Sequence, residues 1–226
     1  DKHFLFSKLS GYCILKREHL PPDEMKYESE LFELYKILLK NKYYTTEASK
    51  FMPVDLYRNI LIQAAKMKEL RWLGEFIEDY GRELHPARKT DILNYSYAYL
   101  NFARGNFSDS LSWLSRIRME EFSYHLDIRS LYLMLYFELE EYDSALAAAK
   151  AFKKYLNENT MVSEEKKAGY ENLCKYITKL VNYQGSSSKT DLSSLAVQLK
   201  KCRNIVSRSW ILDKVESLDS LVRKAV

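Results

Sequence analysis

An all-α fold follows from three features of the sequence. Only four prolines and six glycines occur in 226 residues. Pro21, Pro22, Pro53 and Pro86 each stand where a helical pattern begins, the place at which a missing N–H costs least. No proline follows position 86, so the remaining 140 residues are free to run as helices joined by short turns. Apolar residues recur three and four apart, as in Leu31, Leu34, Leu38 and in Ile60, Ala64, Met67. The same spacing returns in Leu131, Met134, Leu135, Leu139 and in Tyr170, Leu173, Ile177, Leu180, while the alternation of a half-buried strand is nowhere sustained.

Taken in order, the periodicity predicts helices over 2–18, 23–40, 45–51, 53–66, 69–82, 86–104, 107–117, 121–139, 142–156, 163–182 and 189–224. The first is apolar nearly all round, through Phe4, Leu5, Phe6, Leu9, Tyr12, Ile14 and Leu15. It therefore needs a cover, either more of a parent chain or a second copy of this one. The second follows the Pro21–Pro22 pair, the fourth opens on Pro53 and the sixth on Pro86. The last is expected to break near Ser207 to Ser209. Connections of a few residues force successive helices to pack antiparallel. One softer boundary is GSSSKTD, residues 185–191, where Thr190 or Asp191 can cap the following helix.

Two stretches repeat. FARGNFSDSL (102–111) returns thirty-five residues later as FELEEYDSAL (137–146), aligning Phe102, Phe107, Ser110 and Leu111 with Phe137, Tyr142, Ala145 and Leu146. A weaker copy lies thirty-seven residues upstream, with Ala65, Leu70 and Leu73 at the matching offsets. Each copy reads as the end of one helix, a tight turn and the start of a returning helix. Ser110 or Ala145 is small enough to let the two backbones close. Such a pair has a face it cannot bury alone, so copies are expected to stack and share a core.

The string Ala98, Gly105, Phe107, followed by Tyr136, Tyr142, Ala145, resembles the tetratricopeptide repeat. That pattern asks for a small residue, an aromatic, a turn glycine, a second aromatic and an alanine. The sequence departs from it at Asn101 in place of the first aromatic, at Ser110 in place of the alanine, and at Glu140 in place of the turn glycine. The likeness covers residues 53–157. It implies a right-handed array of antiparallel helical hairpins, an α-α superhelix, forming one helical-repeat domain over 1–226 with degenerate hairpins at 1–52 and 158–226. LDIRSLYLMLYFELEEYDSAL, YENLCKYITKL and SWILDKVESL also resemble the C-terminal part of long bacterial proteins of this repeat type that carry no assigned activity.

The resemblance further implies a non-enzymatic scaffold that holds a peptide or helix of another protein in a concave groove. Its groove positions fall on Arg58 and Ile62, on Tyr95, Tyr99 and Phe102, and on Ser130, Met134 and Phe137. Tyr95, Tyr99 and Phe102 lie at i, i+4 and i+7 along one side of a helix. Beside an arginine this is the composition of a recognition hot spot. The same stripe also suits packing against a neighbouring helix, and a groove is open to the chain's own terminal helix. Trp72, Trp113 and Trp210 are expected as core anchors, with Trp210, Ile211, Leu218 and Leu221 docking the terminal helix as a cap.

Charge is uneven. Residues 163–226 carry 12 Lys and Arg against 7 Asp and Glu, whereas residues 1–162 carry 23 against 24. Lys200, Lys201, Arg203 and Arg208 gather near the end, an anionic-partner or nucleic-acid surface at most, because aromatics do not interleave with them. No reaction is marked. His3, His19, His85 and His125 lack the i, i+4 spacing of a shared metal, and no glycine-rich loop is present. Ser163 to Lys166 and Ser186 to Lys189 read as polar turns. Glu120, Glu121, Glu138, Glu140 and Glu141 read as solvated helix ends, and His125 as a structural side chain. We therefore expect no catalytic residue, metal or cofactor. Three cysteines, Cys13, Cys174 and Cys202, suit a reducing compartment. The longest apolar run, Leu131 to Phe137, has seven residues, against roughly 18 needed to span a bilayer. Asp1 and the absence of a secretion pattern after it read as a mature form or an excised fragment, and the expected location is cytoplasmic.

Overall fold

The computed structural model describes residues 2–19, 24–45, 50–118, 122–185, 192–202 and 204–224. Every element among them is helical, and they divide into two compact units, Asp1–Ser123 and Tyr124–Val226.

The first unit contains α1 (Lys2–His19), α2 (Glu24–Lys40), α3 (Val54–Lys66), α4 (Leu70–Tyr80), a single 3-10 turn at Gly81–Glu83, α5 (Pro86–Ala103) and α6 (Phe107–Leu114). Pro53 stands at the N-cap of α3 and Pro86 in the first turn of α5, as the proline positions require. Tyr57, Ile60, Leu61, Ala64, Leu73, Phe76, Ile92, Tyr95 and Ala98 form its core. Trp72 stacks on Phe76, Tyr57 meets the same ring tilted by 34°, and Trp72 also meets Phe32 edge-on at 4.9 Å. Glu28 of α2 is buried and satisfied from α3. Gln63 Nε2 donates to its carboxylate at 2.6 Å and to its backbone carbonyl at 2.9 Å, and Lys66 pairs with the other oxygen.

The expected helix over 45–51 is not formed by Thr45, Lys50 and Phe51, and residues 46–49 lie outside the described ones. The residues that flank this stretch are held on the 3-10 turn. Tyr44 Oη and Lys42 Nζ both donate to the Glu83 carboxylate, at 2.5 and 3.0 Å, and Met52 N–H donates to the Glu83 carbonyl at 2.9 Å.

One side of α1 packs on α2 through Phe6 against Tyr35 and through buried Cys13. Phe4, Leu5, Leu9 and Leu15 are exposed, as is Tyr12, whose ring meets Tyr27 of α2 edge-on at 6.1 Å.

The second unit contains α7 (Phe122–Glu138) from Tyr124 onward, α8 (Tyr142–Glu158), α9 (Glu164–Gly185), α10 (Leu192–Lys201) and α11 (Arg208–Lys224). Leu133, Leu135, Ala145, Phe152, Leu156, Leu173, Cys174, Ile177, Leu180, Ile211 and Val215 make its core. The predicted final helix is broken as expected, with Ser207 in the left-handed region at φ 56° and α11 starting at Arg208. The break is fastened to α9. Asn204 Nδ2 donates to the Glu165 carbonyl at 2.7 Å, and Val206 N–H donates to the Gly169 carbonyl at 3.2 Å. A Cβ at Gly169 would stand 2.7 Å from Asn204 Oδ1, so any larger residue there would displace the Asn204 side chain. The soft boundary at 185–191 lies outside the described side chains.

One corner recurs in both units. Lys68, Gly105 and Glu140 follow α3, α5 and α7 with φ of 59°, 80° and 60°. After each, Glu69, Asn106 and Glu141 take φ/ψ of −81°/56°, −87°/68° and −79°/65°. Each corner closes with the same bond from the residue after the left-handed one to the carbonyl five back: Glu69 to Ala64, Asn106 to Asn101, Glu141 to Tyr136. This satisfies a helix-end carbonyl that would otherwise be orphaned. The spacing of thirty-seven and thirty-five read from the side chains is thus the spacing of a backbone turn. α2 stops the same way at Lys42, φ 51°, with Tyr43 N–H on the Leu38 carbonyl, but Thr45 does not start a returning helix.

Candidate functional site

Because the corner is reproduced, residues at fixed offsets before it are equivalent: Arg58, Tyr95 and Ser130; Ile62, Tyr99 and Met134; Ala65, Phe102 and Phe137. Apart from Ala65 these are the predicted groove positions. α5 returns as α6 with Phe102 on Phe107, Ser110 Oγ donating 2.7 Å to the Ala98 carbonyl, and Tyr97 on Trp113. α7 returns as α8 with Phe137 on Tyr142 and His125 stacked on Tyr155. The aromatic pair at the corner is almost superposable, 5.7 Å between centroids and 56° between planes in the first unit, 5.9 Å and 57° in the second.

The first unit brings α3 against α5. Arg58 and Ile62 on α3 and Tyr99 and Phe102 on α5 are half-buried. Arg58 donates to Asn59 Oδ1 at 3.1 Å, a contact on the helix surface. Tyr95 belongs to the core, with no exposed area, so it supports Tyr99 at 5.8 Å instead of meeting a ligand.

In the second unit the three predicted residues are core, not lining. Ser130 turns its hydroxyl back onto the Leu126 carbonyl at 2.8 Å, and Met134 and Phe137 are buried. Phe137 is covered by the chain itself. Trp210 of α11 meets it edge-on at 5.6 Å, and Trp210 Nε1 donates to Glu138 Oε1 at 2.7 Å. Lys214, one turn on, donates to Glu138 Oε2 at 2.6 Å. A carboxylate that binds an indole and an ammonium through both oxygens is a designed seat and not a solvated helix end, which corrects the reading of Glu138 as one. The partners lie 72 and 76 residues away, and no local pattern links them.

The tryptophans are half-buried, each embedded in an aromatic or charged contact. Trp113 carries Tyr97 on one side and the Arg116 guanidinium 4.4 Å from its ring centroid. Ile211 docks α11 as expected and Leu218 is half-buried, while the side chain of Leu221 lies outside the described ones.

Other chemistry resolves into structure. His85 Nδ1 accepts from Ala87 N–H at 3.3 Å and caps α5, and Ser163 Oγ accepts from Lys166 N–H at the start of α9. His3, His19, the Ser186 to Lys189 turn, Glu120 and Glu121 fall outside the described side chains. Among the described residues no three His, Cys, Asp or Glu gather as a metal set. All three cysteines are free thiols. Burial pushes the Cys174 thiol up to about 12, with Lys153 opposing only in part, so it stays protonated and unreactive at neutral pH. Within the basic C-terminal segment Arg208 is used internally, donating to the Leu199 carbonyl at 3.3 and 3.4 Å where it caps α10. The side chains of Lys200 and Arg203 lie outside the described ones. No described helix is long and apolar enough to cross a membrane.

No protein-family model, no curated protein and no solved structure matches the chain.

Proposed function

We propose that the chain is a non-enzymatic protein-interaction scaffold, a tetratricopeptide-like array of antiparallel helical hairpins that binds a peptide or helix of another protein. The observation that carries this reading is the face of α3 and α5 on which Arg58, Ile62, Tyr99 and Phe102 stay half-buried while the rings beneath them are sealed. An aromatic face backed by a packed core is stiff, so a ligand pays little to order it. The recurring corner supports the array, since it presents the first helix of each pair in the same way.

The test is capture of partners from native lysate by the full chain and by a Tyr99→Ala/Phe102→Ala variant. Tyr95 is left intact, because truncating a fully buried ring would damage the fold. Loss of specific partners with an unchanged circular dichroism spectrum is the expected result. Unchanged recovery would remove this face from consideration.

A further inference from the structure

The exposed side of α1 is more than an apolar stripe. Phe4, Lys8, Tyr12 and Lys16 follow one another at four-residue intervals, so a ring and a cation alternate along one line of the helix, about 6 Å apart. Each lysine lies over the ring one turn before it, Lys8 Nζ 5.2 Å from the centroid of Phe4 and Lys16 Nζ 5.5 Å from that of Tyr12. Leu5, Leu9 and Leu15 flank the line, and these three leucines and two rings are 43–61% exposed. No carboxylate occurs between Lys2 and Lys16. Whatever covers this side must therefore accept cations and rings in alternation.

The line is its own complement when turned end for end. About a two-fold axis at position 10, Phe4 meets Lys16 of the second copy, Lys8 meets Tyr12, and Leu5 stands across from Leu15. Every ammonium gains a second ring and every ring a second cation, which is the self-complementary match that a two-fold contact requires. A parallel pairing would set lysine against lysine, and an acidic surface would answer the lysines but leave the rings against carboxylates. The area also suffices. With about 200 Å² to an aromatic side chain, covering the half-exposed residues of both copies removes roughly 1,000 Å², the lower limit of a specific interface.

We propose that α1 docks on α1 of a second copy of this chain, antiparallel, through this ladder of rings and lysines. The contact is independent of the face on α3 and α5. Because its area is at the lower limit, the dimer forms and parts with concentration.

Sedimentation equilibrium of the full chain is expected to show a reversible dimer. Tyr12→Lys sets a second ammonium against Lys8 and should weaken the dimer at least about tenfold, whereas Tyr12→Glu offers Lys8 a carboxylate and should hold it within about threefold. A contact that is only apolar would lose equally by both. Lys8→Glu combined with Tyr12→Lys exchanges the two members of the contact and should restore the dimer that Tyr12→Lys alone loses. Phe4→Lys, set against Lys16 at the end of the ladder, should again weaken it at least about tenfold. Phe4 and Tyr12 are exposed, so helical circular dichroism should stay unchanged in every variant. A chain that remains monomeric up to about 1 mM overturns the proposal. So does a dimer indifferent to both Tyr12→Lys and Phe4→Lys, equal weakening by Tyr12→Lys and Tyr12→Glu, or a double exchange that stays monomeric.

Discussion

The corner of α5 and the corner of α7 are the same piece of backbone with the same ring pair, and they end in different states. In the second unit Trp210 closes the pair; in the first the outer face of Phe102 remains half-open. The difference cannot come from the turn, since Gly105 and Glu140 hold the same left-handed conformation and the bonds that follow are matched. It comes from α11, held by Ile211 and Val215 in the core and by Glu138 at the rim. Identical local structure therefore yields core in one place and surface in another, according to what the rest of the chain supplies.

Removing Trp210 is the most direct way to break this contrast. Trp210→Ala deletes a ring contact, a hydrogen bond to a nearly buried carboxylate and part of the cover over Phe137. For a half-buried indole the expected loss is about 3 kcal/mol, at the bottom of the range for buried aromatic residues. Urea unfolding of the full chain checks it, followed by helical circular dichroism and by the fluorescence of Trp72 and Trp113, which report on the first unit. A loss below about 1 kcal/mol would mean that the ring lies on the face without holding it.

The two corners differ in one residue that sharpens the comparison. Glu140 occupies a left-handed conformation that costs a side-chain-bearing residue about 1–2 kcal/mol relative to glycine, and Gly105 occupies it freely. A Cβ at Gly105 would meet nothing within 4 Å, so the penalty there is backbone strain alone. Gly105→Glu should destabilise the first unit by about 1 kcal/mol and Glu140→Gly should stabilise the second by a similar amount, the gain trimmed by the greater freedom of an unfolded glycine. Opposite shifts in thermal midpoint are the expected outcome. Shifts of one sign would show that the turns are equivalent in angle but not in energy.

These corners also mark how far the sequence could be read. The echo of Phe102 and Phe107 in Phe137 and Tyr142 is local, so it was legible, and so was the left-handed turn at Gly105. At Glu140 and Lys68 the residue type argues against that turn, and only the tertiary packing that follows imposes it. Helix positions were legible from three- and four-residue spacing because burial selects one face. Thr45, Lys50 and Phe51 fall outside any helix, against the expectation for 45–51, and the residues flanking that stretch bond to Glu83, 39 residues from Tyr44 and 41 from Lys42, which no periodicity encodes. The candidate face was less legible. The resemblance to the tetratricopeptide repeat assigned Arg58, Ile62, Tyr99 and Phe102 to it together with Ser130, Met134 and Phe137, and nothing local separates Phe102 from the buried Phe137 or reveals that Glu138 pairs with Trp210 and Lys214. A face is defined by what fails to cover it, which is a property of the whole chain.

The smallest effect tests the equivalence at its tightest point. Ser110 is buried where α6 crosses α5, and its hydroxyl donates to the Ala98 carbonyl. The counterpart is Ala145, also buried, on α8. Ser110→Ala removes a bond whose acceptor keeps its helical partner, so the expected cost is at most about 1 kcal/mol. Ala145→Ser is the more informative exchange. If α8 crosses α7 as α6 crosses α5, the new hydroxyl lands on the Leu133 carbonyl and stability moves by less than about 0.5 kcal/mol. A hydroxyl that misses that carbonyl is a buried donor without a partner and costs about 1–3 kcal/mol. Equilibrium unfolding of the Ala145→Ser chain therefore measures, to within the length of one hydrogen bond, whether the two pairs of helices share their spacing or only their turns.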